Sequence, residues 1–138
     1  MDITTDRPRA DLAVIGLTGE LDGSNFEEVI EAGRAARDGG ARRIVLDLGA
    51  LTYMGSSGLV AIHSISLLLR GQEPPSAENG WQAIHDIGNA EAVDSEPAVL
   101  LLVGPPPSIE RVLSRSGMLG LFPVHPDRAS AIDAASLA

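Results

Sequence analysis

Three short runs of almost unbroken apolar residues constrain this chain more than any other feature: "LAVIGLTG" (Leu12 to Gly19), "RRIVLDLG" (Arg42 to Gly49) and "AVLLLVG" (Ala98 to Gly104). Each ends at a glycine, and continuous apolar character is the pattern of strands covered on both faces. A helical stretch separates the first two. There Ser24 and Glu27 have capping-box spacing, Phe26, Val29, Ile30 and Gly33 recur at i, i+3, i+4, i+7, and Gly39-Gly40 ends the run. A second helix is expected from Ser56 or Ser57 to about Arg70. A third should start at Ser108 as N-cap, bury Ile109, Val112 and Leu113, and stop at Gly117. "LFPV" (Leu121 to Val124) suits an edge strand, since Pro123 cannot donate to a ladder, and the alanine-rich tail from Asp127 reads as helix. Alternating strands and helices imply an α/β fold: a mostly parallel sheet of about four to five strands with crossover helices packed against it. At 138 residues the chain is expected to form one domain.

In such a sheet the loops leaving the carboxyl ends of the strands share one edge, so "TGELDGSN" and "TYMGSSG" should meet and form one surface. The second loop carries an unusual centre, Gly55-Ser56-Ser57-Gly58, directly ahead of an apolar run. Its serines have three readings: a helix cap, a nucleophile, or a site that another protein modifies. A nucleophile elbow needs Gly-x-Ser-x-Gly, and neither serine has glycine two residues away on both sides. His63, six or seven residues along the same helix, would stand roughly 9–10 Å away. A phosphate on either serine would meet the free N–H groups of a helix start, so the fold could carry it.

Composition narrows the partners. The net charge is −9, all ten cationic residues are arginine, and only four residues are Phe, Tyr or Trp. Such a surface repels phosphate backbones and anionic lipid and lacks stacking platforms, which disfavours nucleic acid and points to a protein or small-molecule partner. No cysteine is present, and His63, His85 and His125 lack the spacing of a metal site, so neither metal nor cofactor is expected. The start of the sequence has no signal-like apolar core, and Leu59 to Leu69 falls short of the ~20 residues of a membrane span. A cytoplasmic protein without membrane insertion is expected.

The charge is unevenly placed. Residues 71–97 hold six carboxylates (Glu73, Glu78, Asp86, Glu91, Asp94, Glu96) and no Arg or Lys. This stretch reads as an acidic insertion between the second helix and the third apolar run. A tolerated surface insertion is one account of it. The other is functional: Trp81, Ile84 and Ile87 suit one side of a short amphipathic helix that covers the domain or grips a partner. Arg34, Arg37, Arg42 and Arg43 cluster around the end of the first helix, where they complement its dipole or dock the acidic stretch.

"LTGELDGSNFEEV", "RRIVLDLGALTYMGSSGLVAI" and "VLLLVGPPPSIERVLSRSGMLGLFPVHPDRASAI" together resemble the successive blocks of the STAS domain of anti-sigma factor antagonists. The resemblance implies a regulatory binding module and no enzyme. Members bind a cognate anti-sigma factor that is often also a serine kinase, and phosphorylation of a serine at the head of the second helix releases them. The family pattern there is Asp-Ser-Ser/Thr-Gly-Leu. Ser56 falls on the acceptor, with Ser57 as second candidate, and Gly55 stands where the family has Asp. The partner-binding surface implied comprises Asp22, Gly23, Ser24, Met54, Gly55, Ser56, Ser57 and Gly58. An unphosphorylated adaptor of the same fold, a subunit of a signalling or transport assembly, is the alternative.

Overall fold

The structure is a computed structural model that describes residues 1–72 and 99–136. The expected insertion, with Trp81, Ile84 and Ile87, lies outside the described residues except at its first two positions. Five strands form one sheet in the order β1 (Asp2–Arg9), β2 (Leu12–Leu21), β3 (Arg43–Met54), β4 (Leu100–Val103), β5 (Val124–His125). β1 runs antiparallel to β2, and every other pair is parallel. The helices are α1 (Phe26–Asp38), α2 (Ser56–Leu69), α3 (Pro107–Arg115) and α4 (Arg128–Ser136).

Side chains alternate across the central strands and build two cores of unequal size. Ala13, Ile15, Leu17, Ile44, Leu46, Leu48, Leu100 and Leu102 meet Val29 of α1, Ile62 and Ile65 of α2, and Ile109 and Leu113 of α3. Leu12, Val14, Val45, Leu101 and Val103 point to the other face, where Ala131 and Ala135 of α4 cover them. Burial on both faces explains the unbroken apolar runs. Further along, the second face turns polar: Arg128 Nε donates to Asp47 Oδ2 at 2.6 Å and Nη1 to Asp6 Oδ2 at 3.3 Å. Gly16 leaves room for that guanidinium, since a Cβ there would lie 2.5 Å from Arg128 Nη2.

Helices α1 and α2 stop in the same way. Gly40 and Gly71 take positive φ, of 108° and 79°. Their amides donate to Arg37 O and Leu68 O, while the following amides of Ala41 and Gln72 reach back to Ala36 O and Leu67 O. This paired closure needs a left-handed residue, and glycine takes that conformation at little cost.

Several sequence expectations shift. The residue at the N-cap of α1 is Asn25 and not Ser24, whose hydroxyl donates instead to Asp22 Oδ1. Pro106 is the N-cap of α3, with Pro107 in the first helical position, where its fixed φ suits the helix and no amide is missed; Ser108 is therefore inside the helix. The edge strand is Val124–His125, beginning three residues later than expected, because Pro123 contributes only its carbonyl, to Leu102 N. The serines of α2 do not cap it, since Gly55 occupies that position.

The two helices on the larger core cross closely at Gly33, where a Cβ would lie 2.7 Å from Ile65 Cγ1 and within 3.3 Å of two further atoms of that side chain. Gly33→Val is expected to cost about 1–3 kcal/mol by overpacking, read as a lower urea midpoint with unchanged slope. An unchanged midpoint would show that the crossing is loose.

Candidate functional site

The expected meeting of the two loops depends on an irregularity in the β2–β3 ladder. Gly16 pairs with Asp47 but Thr18 pairs with Ala50, and Gly19 pairs with Leu51 but Glu20 with Tyr53. At each of the two shifts β3 holds one residue more than β2, which bends the strand and re-aims its side chains. Buried positions consequently recur every third residue, at Leu48, Leu51 and Met54, and Tyr53 is turned outward at 52% exposure. Both strands thus reach the same edge.

There the loops are joined. Gly55 N donates to Leu21 O at 3.0 Å, tying the start of α2 to the end of β2. A Cβ at Gly23 would lie 3.5 Å from Ser57 Oγ, so the turn after β2 stands directly beside the second serine. A Cβ at Gly58 would collide with Met54 Cγ, and would lie 2.8 Å from Met54 Sδ and 3.2 Å from Leu21 Cδ2. Gly58 therefore lets the first turn of α2 rest on the ends of both strands, while Met54 is buried beneath it as a support and not a contact surface. Ser56 and Ser57 are half-buried in the first two helical positions.

The first loop is internally braced. Asp22 Oδ1 accepts from Ser24 N at 2.8 Å and from Ser24 Oγ at 2.6 Å. Asn25 Oδ1 accepts from Asp22 N, and its Nδ2 donates to Glu20 O. The carbonyl of Asp22 accepts from Phe26 N, which supplies α1 with a backbone cap. Bonding to the Ser24 hydroxyl, and then to its amide, holds the Asp22 carboxyl below the usual range. The two loop stretches, residues 18–28 and 50–60, carry Glu20, Asp22, Glu27 and Glu28 and no arginine.

All eight residues expected at the surface, Asp22 to Ser24 and Met54 to Gly58, thus converge on one edge. Tyr53 was not among them. Its hydroxyl would lie 3.2 Å from a Cβ at Gly55, so the phenol ring stands over the place where a side chain of residue 55 would begin. Among the described residues no group of three His, Asp or Glu is placed to hold a metal ion, and no helix is long and apolar enough to cross a membrane.

A mostly parallel sheet with two joined loops at the head of α2, backed on its second face by the helix α4, has the form of a STAS-type domain. The family model described as "Mlab, STAS domain" matches residues 4–74. BtrV, a candidate anti-sigma factor antagonist of Bordetella bronchiseptica strain RB50, is 32% identical over 132 residues, covering 95% of this chain and 91% of that protein. The chain belongs to the STAS domain family. Its fold is similar to that of the anti-sigma factor antagonist SpoIIAA in its unphosphorylated form, with a TM-score of 0.67, 20% identity, and coverage of 99% of this chain and 98% of that one. The phosphorylated form of SpoIIAA, the Bacillus cell fate determinant, gives a TM-score of 0.60 at 20% identity, covering 96% and 97%.

Because the folded Asp22 carboxyl lies below its ordinary pKa, it contributes stability to the loop above the ordinary value and loses it as pH falls through the lowered one. Ser24→Ala removes the hydroxyl bond and keeps the amide bond, so it is expected to raise the Asp22 titration part of the way toward the ordinary carboxylate range, read by NMR of the carboxyl carbon. A titration unmoved by the substitution would show that the Ser24 hydroxyl does not set it.

Proposed function

We propose that this protein is an anti-sigma factor antagonist whose binding surface is the joined pair of loops and whose switch is phosphorylation of Ser56. The observation that carries the reading is the union of the turn after β2 with the head of α2, through the Gly55 N to Leu21 O bond and the approach of Gly23 to Ser57. Similarity to BtrV over nearly the whole of both chains supports the antagonist role. The partner is a protein, an anti-sigma factor that also serves as the serine kinase. Ser57 is the second candidate acceptor.

The chemistry of the switch is local. Phosphorylation adds about −1.5 to −2 charges. The free amides at the start of α2 tolerate that charge. A partner packed on the same edge does not. The loop stretches supply four carboxylates and no arginine, so the phosphate adds to an already negative surface. Burying it without a compensating cation costs several kcal/mol in order of magnitude.

A second reading rests on Gly55. With no carboxylate there and the Tyr53 ring over the gap, the loop offers a kinase a different surface from the family's Asp-Ser pair. An unphosphorylated adaptor in a signalling or transport assembly would tolerate that change. Either role is read as cytoplasmic; no helix among the described residues is long and apolar enough to cross a membrane.

The test uses protein isolated from its native host under growth and under stress, with phosphorylation mapped in the tryptic peptide from Ile44 to Arg70. The expected result is phosphate on Ser56 that varies with condition, together with binding of the captured anti-sigma factor that Ser56→Asp weakens about tenfold or more. Complete peptide coverage without phosphate, and binding indifferent to Ser56→Asp, would instead favour the adaptor.

A further inference from the structure

Residue 55 is a glycine at a position whose backbone does not ask for one. Its φ and ψ, −87° and −175°, lie in the extended region open to any residue, unlike the positive φ of Gly40 and Gly71. It is also the N-cap of α2, where Ser, Asp or Asn would bond a free amide of the first turn, and α2 has no side-chain cap. The chain therefore forgoes a stabilising contact there. The ring of Tyr53 fills the space instead: its hydroxyl, Cε1 and Cζ would lie 3.2, 3.6 and 3.7 Å from a Cβ at residue 55.

Tyr53 is more exposed, at 52%, than any other large hydrophobic side chain among the described residues. The register shift between Gly19 and Glu20 turns it outward at the end of β3. One side of the ring thus rests near the bare backbone of Gly55, and the hydroxyl makes no hydrogen bond among the described residues. A tyrosine offers a large apolar body with a polar tip, and loses little conformational freedom when it is bound. Contact with Gly55 restricts the ring before any partner arrives. Ser56 follows directly in the chain, so a partner that covers one meets the other.

We propose that Tyr53 is the specificity-determining anchor of the binding edge, and that residue 55 is glycine in order to seat its ring. The surface it fits is a cleft in a protein partner, with apolar walls and a hydrogen-bond acceptor at the end to take the phenol O–H. A side chain at residue 55 would start closer to the hydroxyl than ordinary contact allows and would push the ring aside. Residue 55 therefore acts on recognition through Tyr53. This inference rests on the joined loops being the surface that binds the anti-sigma factor, and it names the residue by which that surface selects its partner.

The test measures binding of the captured anti-sigma factor to full-chain variants, with the urea midpoint of each variant beside it. Tyr53→Ala is expected to weaken binding about tenfold or more with little change in midpoint, because the side chain is exposed. Tyr53→Phe keeps the ring and loses only the hydroxyl, so a loss of about threefold is expected. Gly55→Asn separates recognition from structure. As a neutral capping residue it should raise the midpoint and yet weaken binding about as much as Tyr53→Ala, adding little further loss when the two are combined. Ser56→Asp, measured alongside, keeps the two claims apart. Binding weakened by Ser56→Asp but unchanged by Tyr53→Ala would overturn the anchor and leave the antagonist reading standing. Binding indifferent to all of these variants would overturn both. Losses from Tyr53→Ala and Gly55→Asn that simply add would overturn the seating of the ring by Gly55.

Discussion

The parallel pairing of β2 with β3 is the constraint on which the rest of this structure depends. It begins with Leu12 beside Arg43, ends with Leu21 beside Met54, and is continued one step further by the Gly55 amide donating to Leu21 O. A parallel pair sends both following loops to one edge by topology alone. The two register shifts then lengthen β3 relative to β2, so that the head of α2 comes level with the turn that starts α1.

The same pairing separates the molecule into two ends with opposite chemistry. At the carboxyl ends of the strands lie exposed carboxylates, two helix starts and an outward-facing tyrosine. At the amino ends lie two glycine-closed helix ends and three arginines. A partner that tolerates serine but not phosphoserine suits the first end, where a new charge arrives beside existing negative charge.

How much of this could be read from residues alone varied with the physics of each element. Strands buried on both faces and a helix ended by glycine are strongly patterned, and β2, β4, α1 and α2 stand close to where the apolar runs, Gly39-Gly40 and the expected end near Arg70 place them. β1 was not anticipated. "DITTDRPR" is an edge strand with one neighbour, almost wholly exposed, and so carries no apolar period. The second half of β3 escaped for a different reason: its shifts replace alternation with burial at every third residue, which disguises "ALTYM" as a turn. Tyr53 was missed with it. The expected Ser24 and Ser108 caps fail because a capping pattern does not reveal competing local partners, here the Asp22 carboxylate and a proline already suited to the helix start.

The central claim, that both loops act as one binding surface, is tested most directly by hydrogen exchange of the unmodified protein alone and with its captured anti-sigma partner. The account predicts that the partner slows exchange in residues 20–28 and 52–58 together, while Arg37 to Arg43 at the far end exchange as before. Slowing in only one of the two loops, or at the arginine end instead, would contradict it.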